Sequence, residues 1–340
     1  MTTVREALEM VLARRSLSEA QITSVFDHIL DEGAPGYAVA GLLVALRMKG
    51  EEPQELAGGV RALLARARAA DLDGDELLDT AGTGGDGKGT FNISTGAALV
   101  AAAAGVKVAK AGNRAASGMV GAADVLEHFG VRIELDAPGL KRCLARAGIC
   151  FLFAPYYHPA VARVAPIRKE LGIRTLFNVL GPIANAARPA SRLVGVAEPR
   201  LAPVMALALV ELGARHAMVV HSEDGMDEIS AWAQTRIFEV RGGAVIEGLI
   251  RPADFGIKAA PATDIMVGDA DQAVTILRAA LSGESGAAFD VLSLNGGAAI
   301  HVGGLAPSLA EGVEAAREIL RRGLALKTLD RLRAASRGED

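Results

Sequence analysis

Residues 82–90 read Gly-Thr-Gly-Gly-Asp-Gly-Lys-Gly-Thr, with five glycines in nine positions. The run follows an apolar stretch, residues 76–81, that reads as a strand, and it precedes a helix predicted over Thr95–Ala104. Glycine lets the backbone take positive φ and approach an anion closely, and the following helix turns unpaired N–H groups and partial positive charge toward it. The junction therefore predicts a phosphate cradle, with a tight structural turn as the plainer alternative. Just beyond it, Asn92-Ile93-Ser94-Thr95 adds hydroxyls and further N–H donors at a helix start, which suggests a second phosphate group.

Two common phosphate motifs overlap this run, and neither fits. Gly82, Gly84 and Gly87 satisfy G-x-G-x-x-G, but a dinucleotide fold needs an acid about 20 residues on, and no Asp or Glu occurs from Gly87 through Ala123. Gly82 to Lys88 fits G-x-x-x-x-G-K, yet Gly89 stands where a P-loop needs a hydroxyl for magnesium. Asp86 would repel a bare polyphosphate in the cradle unless a cation intervened. The acid-free window carries Lys88, Lys107, Lys110 and Arg114, a local cluster of positive charge that predicts a strongly anionic ligand.

Other reactive side chains are sparse. His28, His128, His216, His221 and His301 lie on predicted helices or strands without ligand spacing and read as structural. Cys143 and Cys150 lack a metal or disulfide pattern and read as small core residues. Aspartates at 71, 73 and 75 have the wrong glycine placement for a calcium loop and read as a hinge. Taken alone, Asp227-Glu228 reads as a solvated turn. No nucleophile stands with a paired base, so no dedicated acid or base catalyst is expected.

The elements that must position these residues change character near residue 70. Residues 1–70 read as helices at about 3–14, 18–32, 36–49 and 53–70; Ser18 and Gln21 form a capping box. The 36–49 helix is apolar almost all round, which predicts a homodimer contact through this small domain. Short strands then alternate with helices: strands at 76–81, 106–110, 149–154 and 216–221, and helices near 121–129, 137–147, 199–212, 271–282 and 308–323. Such alternation predicts an α/β domain with a mostly parallel sheet. The 340 residues are 51% hydrophobic with a net charge of −4. Disorder is excluded, and no global attraction to nucleic acid or anionic membrane is expected. The charged N-terminus and the absence of an apolar run of about 20 residues predict a cytoplasmic protein.

Asp79-Thr80-Ala81-Gly82-Thr83-Gly84-Gly85-Asp86, Asn92-Ile93-Ser94-Thr95 and Lys110-Ala111-Gly112-Asn113-Arg114 together resemble the anthranilate phosphoribosyltransferases of tryptophan biosynthesis. His158-Pro159-Ala160, residues 168–175, residues 177–182 and residues 225–230 continue the resemblance in order over nearly the whole chain. It implies the class II nucleoside phosphorylase-like fold: a small helical domain over 1–70, completed by helices from about 164–187, and an α/β domain over 71–163 and 188–340. It also implies transfer of phosphoribosyl from phosphoribosyl pyrophosphate to the amine of anthranilate, with release of pyrophosphate.

Carried over position by position, the resemblance assigns Gly82, Gly85, Asp86, Thr90, Asn92, Ile93, Ser94, Thr95, Lys110, Gly112 and Ser117 to phosphoribosyl pyrophosphate. It assigns Gly82, Asn113, Arg168 and His158 to anthranilate, and Ser94, Asp227 and Glu228 to Mg2+. His158 either touches substrate or packs beside it, and Tyr156 or Tyr157 either walls the acceptor or serves packing. The sequence departs from the family at Ala111, usually His, at Ala122, usually Ser, and at Ala184-Asn185-Ala186, usually Thr-Asn-Pro. The first removes a polar group from the acceptor side and the second a hydroxyl from the phosphate side, and a phosphoribosyltransferase for another aromatic acceptor is the alternative they raise. A non-catalytic nucleic-acid-binding relative is a more distant alternative, opposed by the net acidic charge.

Overall fold

The computed structural model describes residues 2–31, 33–115, 120–258 and 262–339. Four helices open the chain: α1 (Val4–Leu12), α2 (Glu19–Asp31), α3 (Gly36–Lys49) and α4 (Pro53–Ala65). Three of the four begin and end close to the predicted limits. The fourth stops five residues early, where Arg66 turns back to pair with Asp27 and Asp31. The capping box forms, with the Gln21 amide N–H donating to Ser18 Oγ at 3.3 Å and the Ser18 amide N–H to Gln21 Oε1 at 2.8 Å.

Next come β1 (Leu77–Gly82), α5 (Ile93–Ala104), β2 (Lys107–Gly112), α6 (Ala122–His128), α7 (Ala137–Ala147) and β3 (Ile149–Phe153). Three short helices follow, α8 (Ala154–Tyr157), α9 (Ala165–Leu171) and α10 (Leu176–Leu180), then β4 (Ser191–Gly195), α11 (Leu201–Glu211) and β5 (His216–Ser222). A hairpin, β6 (Thr235–Arg241) and β7 (Ala244–Ile250), precedes the helices α12 (Ala270–Leu281), α13 (Ala287–Val302), α14 (Leu309–Arg321) and α15 (Leu324–Arg337). No described helix is long and apolar enough to cross a membrane.

The seven strands form one sheet in the order β3-β2-β1-β4-β5-β6-β7. The first five are parallel, and β6 and β7 are antiparallel. The sheet is thus mostly parallel, as expected, with a hairpin edge that the sequence reading did not anticipate. Side-chain alternation divides the strands between two cores. Leu193, Met218 and Val220 face the core shared with α5, α12 and α13, whereas Val194, Ala217, Val219, Phe238 and Val240 face α11 and the opening helices. Val164, Leu176, Phe177, Val179 and Leu180, from the α9–α10 stretch, join that second core. Phe177 stacks on Phe26 with ring centroids 5.1 Å apart.

The strand order places a switch point between β1 and β4. From β1 the chain winds outward through β2 and β3, then returns to the other side of β1 with β4. A crevice opens beyond the carboxyl ends of strands at such a point, where α/β sheets bind ligands.

Candidate active site

The glycine loop occupies that crevice. Gly84, Gly85, Gly87 and Gly89 take φ values of +59°, +70°, +71° and +61°, so four of its five glycines sit where side chains are disfavoured. The loop is strapped on both flanks. Gly89 O accepts from the Val267 amide at 2.7 Å, and the Thr83 amide donates to Gly195 O at 2.9 Å. α5 starts two residues earlier than predicted, with Asn92 at its N-cap position but making no capping bond through its side chain. Asn92 Nδ2 donates to Val120 O at 3.0 Å, while Asn92 Oδ1 and Thr95 Oγ1 are buried without a partner. Ile93 turns its side chain into the core and its amide to Phe91 O.

Lys110 on β2 is buried beneath the loop, its ammonium donating to Thr80 O at 2.6 Å and to Ser94 Oγ at 3.2 Å. Burial lowers its pKa, and the charges of Asp79 and Glu228 oppose that. Of the other cations of the acid-free window, Lys88 stays on the glycine loop beside Gly225 and Arg114 lines the cavity nearby, whereas Lys107 leaves the expected cluster. Lys107 begins β2 at the far end of the strand and pairs with Glu76. Arg114 is neutralised by Glu127 and by Asp124 at 3.3 Å. Six residues of strand span roughly 20 Å at about 3.3 Å each, which carries Lys107 well away from the site.

Asp227 and Glu228, on the loop after β5, are brought to the same crevice. The Gly84 amide donates to Asp227 Oδ2 at 2.7 Å. Burial and then the nearby Asp86 charge push the Asp227 carboxyl up to about 6. Glu228 is raised well above the usual glutamate range by burial and then by Asp227, with Lys110 pulling the other way. Asp86 holds its own loop, its Oδ1 accepting from the Lys88 amide at 3.0 Å.

On the other side of Lys110 lies a cavity of about 640 Å³. Gly82, Ser94, Lys110, Gly112, Asn113, His158 and Arg168 all line it, as do Ala111 and Ala122. Arg168 has no carboxylate partner among the described residues; its guanidinium lies 5.5 Å from the Phe177 ring centroid. Burial lowers its pKa, as expected of a half-buried cation without a carboxylate partner. His158 is held below the usual histidine range by burial, and its Nδ1 is buried without a partner. Tyr157 reaches the cavity wall while its hydroxyl is tied to Leu135 O at 2.8 Å, and Tyr156 packs under Arg68 instead. Gly85, Asp86, Thr90, Asn92, Thr95, Asp227 and Glu228 lie outside the cavity lining, on the loop flank of the crevice. Ser117 lies outside the described residues.

Four positioning residues had no site role in the sequence reading, among them Asp124, which was expected to tolerate substitution. Arg174 donates to Gly84 O at 2.6 Å and Thr83 O at 3.0 Å, joining the α9–α10 connection to the glycine loop. Asn295 grips the Asp227-Glu228 loop at Ile229, accepting from its amide at 2.9 Å and donating to its carbonyl at 2.8 Å. A polar amide inside the apolar α13 was the available signal. Asn185 donates to Asp79 Oδ2 at 2.8 Å and to Ala109 O at 2.7 Å, and the other Asp79 oxygen accepts from the Ala111 amide. Asp124 accepts from the Ala115 and Gly121 amides at 3.0 and 2.9 Å, tying the stretch after β2 to the start of α6.

The comparisons with known proteins agree along the whole chain. Residues 5–67 match the glycosyl transferase family helical bundle domain, and residues 74–326 match the glycosyl transferase family a/b domain. Anthranilate phosphoribosyltransferases from Chloroflexus aggregans and Halorhodospira halophila are 48% and 42% identical, over 99% and 97% of both chains respectively. The crystal structure of anthranilate phosphoribosyltransferase from Thermus thermophilus superposes with a TM-score of 0.91 at 41% identity, covering 97% of this chain and 99% of that one. The Saccharomyces cerevisiae enzyme in complex with PRPP and Mg gives 0.88 at 26% identity, covering 98% of each chain.

Proposed function

This chain belongs to the anthranilate phosphoribosyltransferase family, and we propose that it transfers the phosphoribosyl group of phosphoribosyl pyrophosphate to the amine of anthranilate, releasing pyrophosphate. The observation that carries this reading is one crevice with two chemically different halves. One half offers backbone N–H groups, a buried ammonium and a carboxylate pair; the other is an apolar cavity with a single unpaired guanidinium.

In the first half, the glycine loop, the start of α5 and Lys110 bind the phosphates through N–H donors and positive charge. Asp227, Glu228 and Ser94 would hold Mg2+. Their fit rests on donor chemistry, because two adjacent carboxylates whose pKa values are raised lack a full cationic counterpart and present the hard oxygens that magnesium prefers. When bound, the cation neutralises charge on the departing pyrophosphate. In the second half, Arg168 pairs with the anthranilate carboxylate and Asn113 assists, which turns the ring so that its amine faces C1 of the ribose. The amine is uncharged at neutral pH and attacks with inversion, so the chain needs no dedicated base. The lowered pKa of His158 keeps its imidazole neutral, suited to a hydrogen bond at the cavity wall.

Loss of anthranilate fluorescence, with mass detection of phosphoribosyl anthranilate, tests the reaction directly. Arg168→Gln is expected to raise the anthranilate KM by about 10- to 100-fold, the worth of a charge-assisted bond, with little change for the donor. Absence of product in the unaltered protein refutes the reading. A related aromatic acceptor is the second reading, favoured by Ala111 and Ala122, which leave their part of the lining small and apolar. An acceptor panel run on the parent and on Ala111→His separates the two readings.

We place the enzyme in the cytoplasm and infer a homodimer that meets through α3. Tyr37 and Met48 support it, being 84% and 72% exposed on that helix. Light scattering of Tyr37→Glu against the parent checks it, and an unchanged mass excludes this face.

A further inference from the structure

His216, Glu239 and His301 come from three distant parts of the chain and meet at one point. His216 begins β5, Glu239 lies on β6, and His301 lies near the end of α13. The β5–β6 register puts His216 opposite Arg241, two residues beyond Glu239, so both side chains stand on the sheet face that α13 covers. His301 descends from α13 onto that face. One ligand atom from each residue lies within 4.8 Å of the other two.

The hydrogen positions make this grouping unusual. Ala306 O lies 2.9 Å from His301 Nδ1 and can only accept, so Nδ1 carries the hydrogen. A neutral His301 then presents the lone pair of Nε2 to Glu239 Oε1, which lies 3.3 Å away and is itself an acceptor. His216 Nε2 lies 2.7 Å from the same oxygen. The rings stand nearly perpendicular at 88°, so both nitrogens point to one spot without the rings stacking. Either a proton on Nε2 or a metal ion between them relieves two facing electron pairs, and a second imidazole nitrogen at the same oxygen completes the donor set a metal ion would need.

We propose that His216 Nε2, His301 Nε2 and Glu239 Oε1 form a binding site for a zinc-class divalent transition ion, separate from the crevice. Two imidazoles and one carboxylate suit that class and not magnesium, which prefers oxygen throughout. Tetrahedral bonds of about 2.0–2.1 Å put ligand atoms roughly 3.3 Å apart. The His301–Glu239 distance already has that value, and the His216–Glu239 pair would open slightly as a hydrogen bond is exchanged for the metal. The Ala306 carbonyl supplies the outer contact that fixes tautomer and ring orientation in histidine metal sites. Glu239 is 21% exposed, so water reaches a fourth position. The nearby cations Arg215 and Arg241 are exposed and screened by solvent.

His216 is at the amino end of β5 and the glycine loop at the carboxyl end of β1, so the ion would clamp α13 to the sheet's far edge. Its removal would loosen the same helix whose Asn295 grips Ile229.

The test strips the full-length protein with chelator, adds Zn2+ in buffer containing excess Mg2+, dialyses, and measures bound metal by mass spectrometry. X-ray absorption of the loaded protein then reads the donor atoms. One zinc per chain with two imidazole donors is expected, and Asp227→Asn should keep it. His301→Gln and Glu239→Gln should each weaken retention by at least the roughly 10- to 100-fold that loss of even an outer contact costs a metal site. If these variants are poorly folded, the donor set of the parent decides alone. A parent that retains no zinc, that binds it without imidazole, or whose affinity survives both substitutions overturns the proposal.

Discussion

Gly195→Ala isolates the positioning of Asp227 from its chemistry. Gly195 ends β4, and a Cβ built on it overlaps the Asp227 carbonyl oxygen outright and falls 2.6 Å from the Asp227 carbonyl carbon, where ordinary contact begins at 3.4 Å. Both obstacles are backbone, so no side-chain rotation relieves them. Gly195 does not adopt positive φ, and alanine's conformational preference therefore raises no objection of its own. The Asp227 loop has to retreat by well over an ångström, and a misplacement of one ångström already costs on the order of 100-fold in rate, or about 2.7 kcal/mol of barrier. Overpacking of this kind costs about 1–3 kcal/mol of stability, too little to unfold a domain of ordinary stability. Steady-state kinetics across a magnesium titration should show kcat down by about two orders of magnitude, partly rescued at high Mg2+. Gly213→Ala is the control: its φ of +75° is strained for alanine but its surroundings are open, so it should lower the melting temperature and leave kcat alone. If Gly195→Ala keeps kcat within about threefold while melting normally, the loop does not owe its place to that contact and the reasoning fails.

Three further outcomes are expected. Asp227 ionises at about 6 rather than at its ordinary 3.8, and Glu228 is raised in the same sense, so protons compete with the cation. Apparent Mg2+ affinity should fall as pH drops through about 6. In cation-free protein this group's contribution to stability should decline as pH rises from about 4 through 6, reversed by Mg2+; isothermal titration and melting at several pH values check both signs. Glu55→Gln removes one partner of a buried ion pair with Lys49 at 2.9 Å, and Glu55 also accepts from the Leu17 and Glu52 amides; chemical denaturation should report a loss of about 3–5 kcal/mol. Asn185→Leu leaves one Asp79 oxygen unpaired in the core and should raise the KM for the donor, because Asp79 also anchors the Ala111 amide beside Lys110; an unchanged donor KM would show that this network is merely structural.

The crevice was legible because its signals are local. A glycine loop, a helix start and an acid-free window lie within about forty residues, and the backbone between them allows few arrangements. What could not be read were features whose reason lies across space. α13 contains Gly296-Gly297, which argues against a helix on propensity. A Cβ at Gly296 would fall 2.7 Å from Val100, and one at Gly297 2.6 Å from the Val313 backbone, so the pair exists to let α5 and α14 approach. β4 is wholly buried yet carries Arg192, whose neighbour Asp79 lies on β1, and a charged residue inside a five-residue strand hides its pattern. The positive window misled in part for the same reason. Lys107 and Lys110 are three apart in sequence and so stand on opposite faces of one strand, and the charge that reaches the crevice from that strand is Lys110 alone. Arg168 comes from a different element, with nothing in its own neighbourhood to distinguish it from a surface arginine. The division between what spacing shows and what it hides thus follows contact distance along the chain: phosphate recognition is written in one loop, whereas acceptor recognition is assembled from β2, the His158 turn and α9, and required the fold to bring them together.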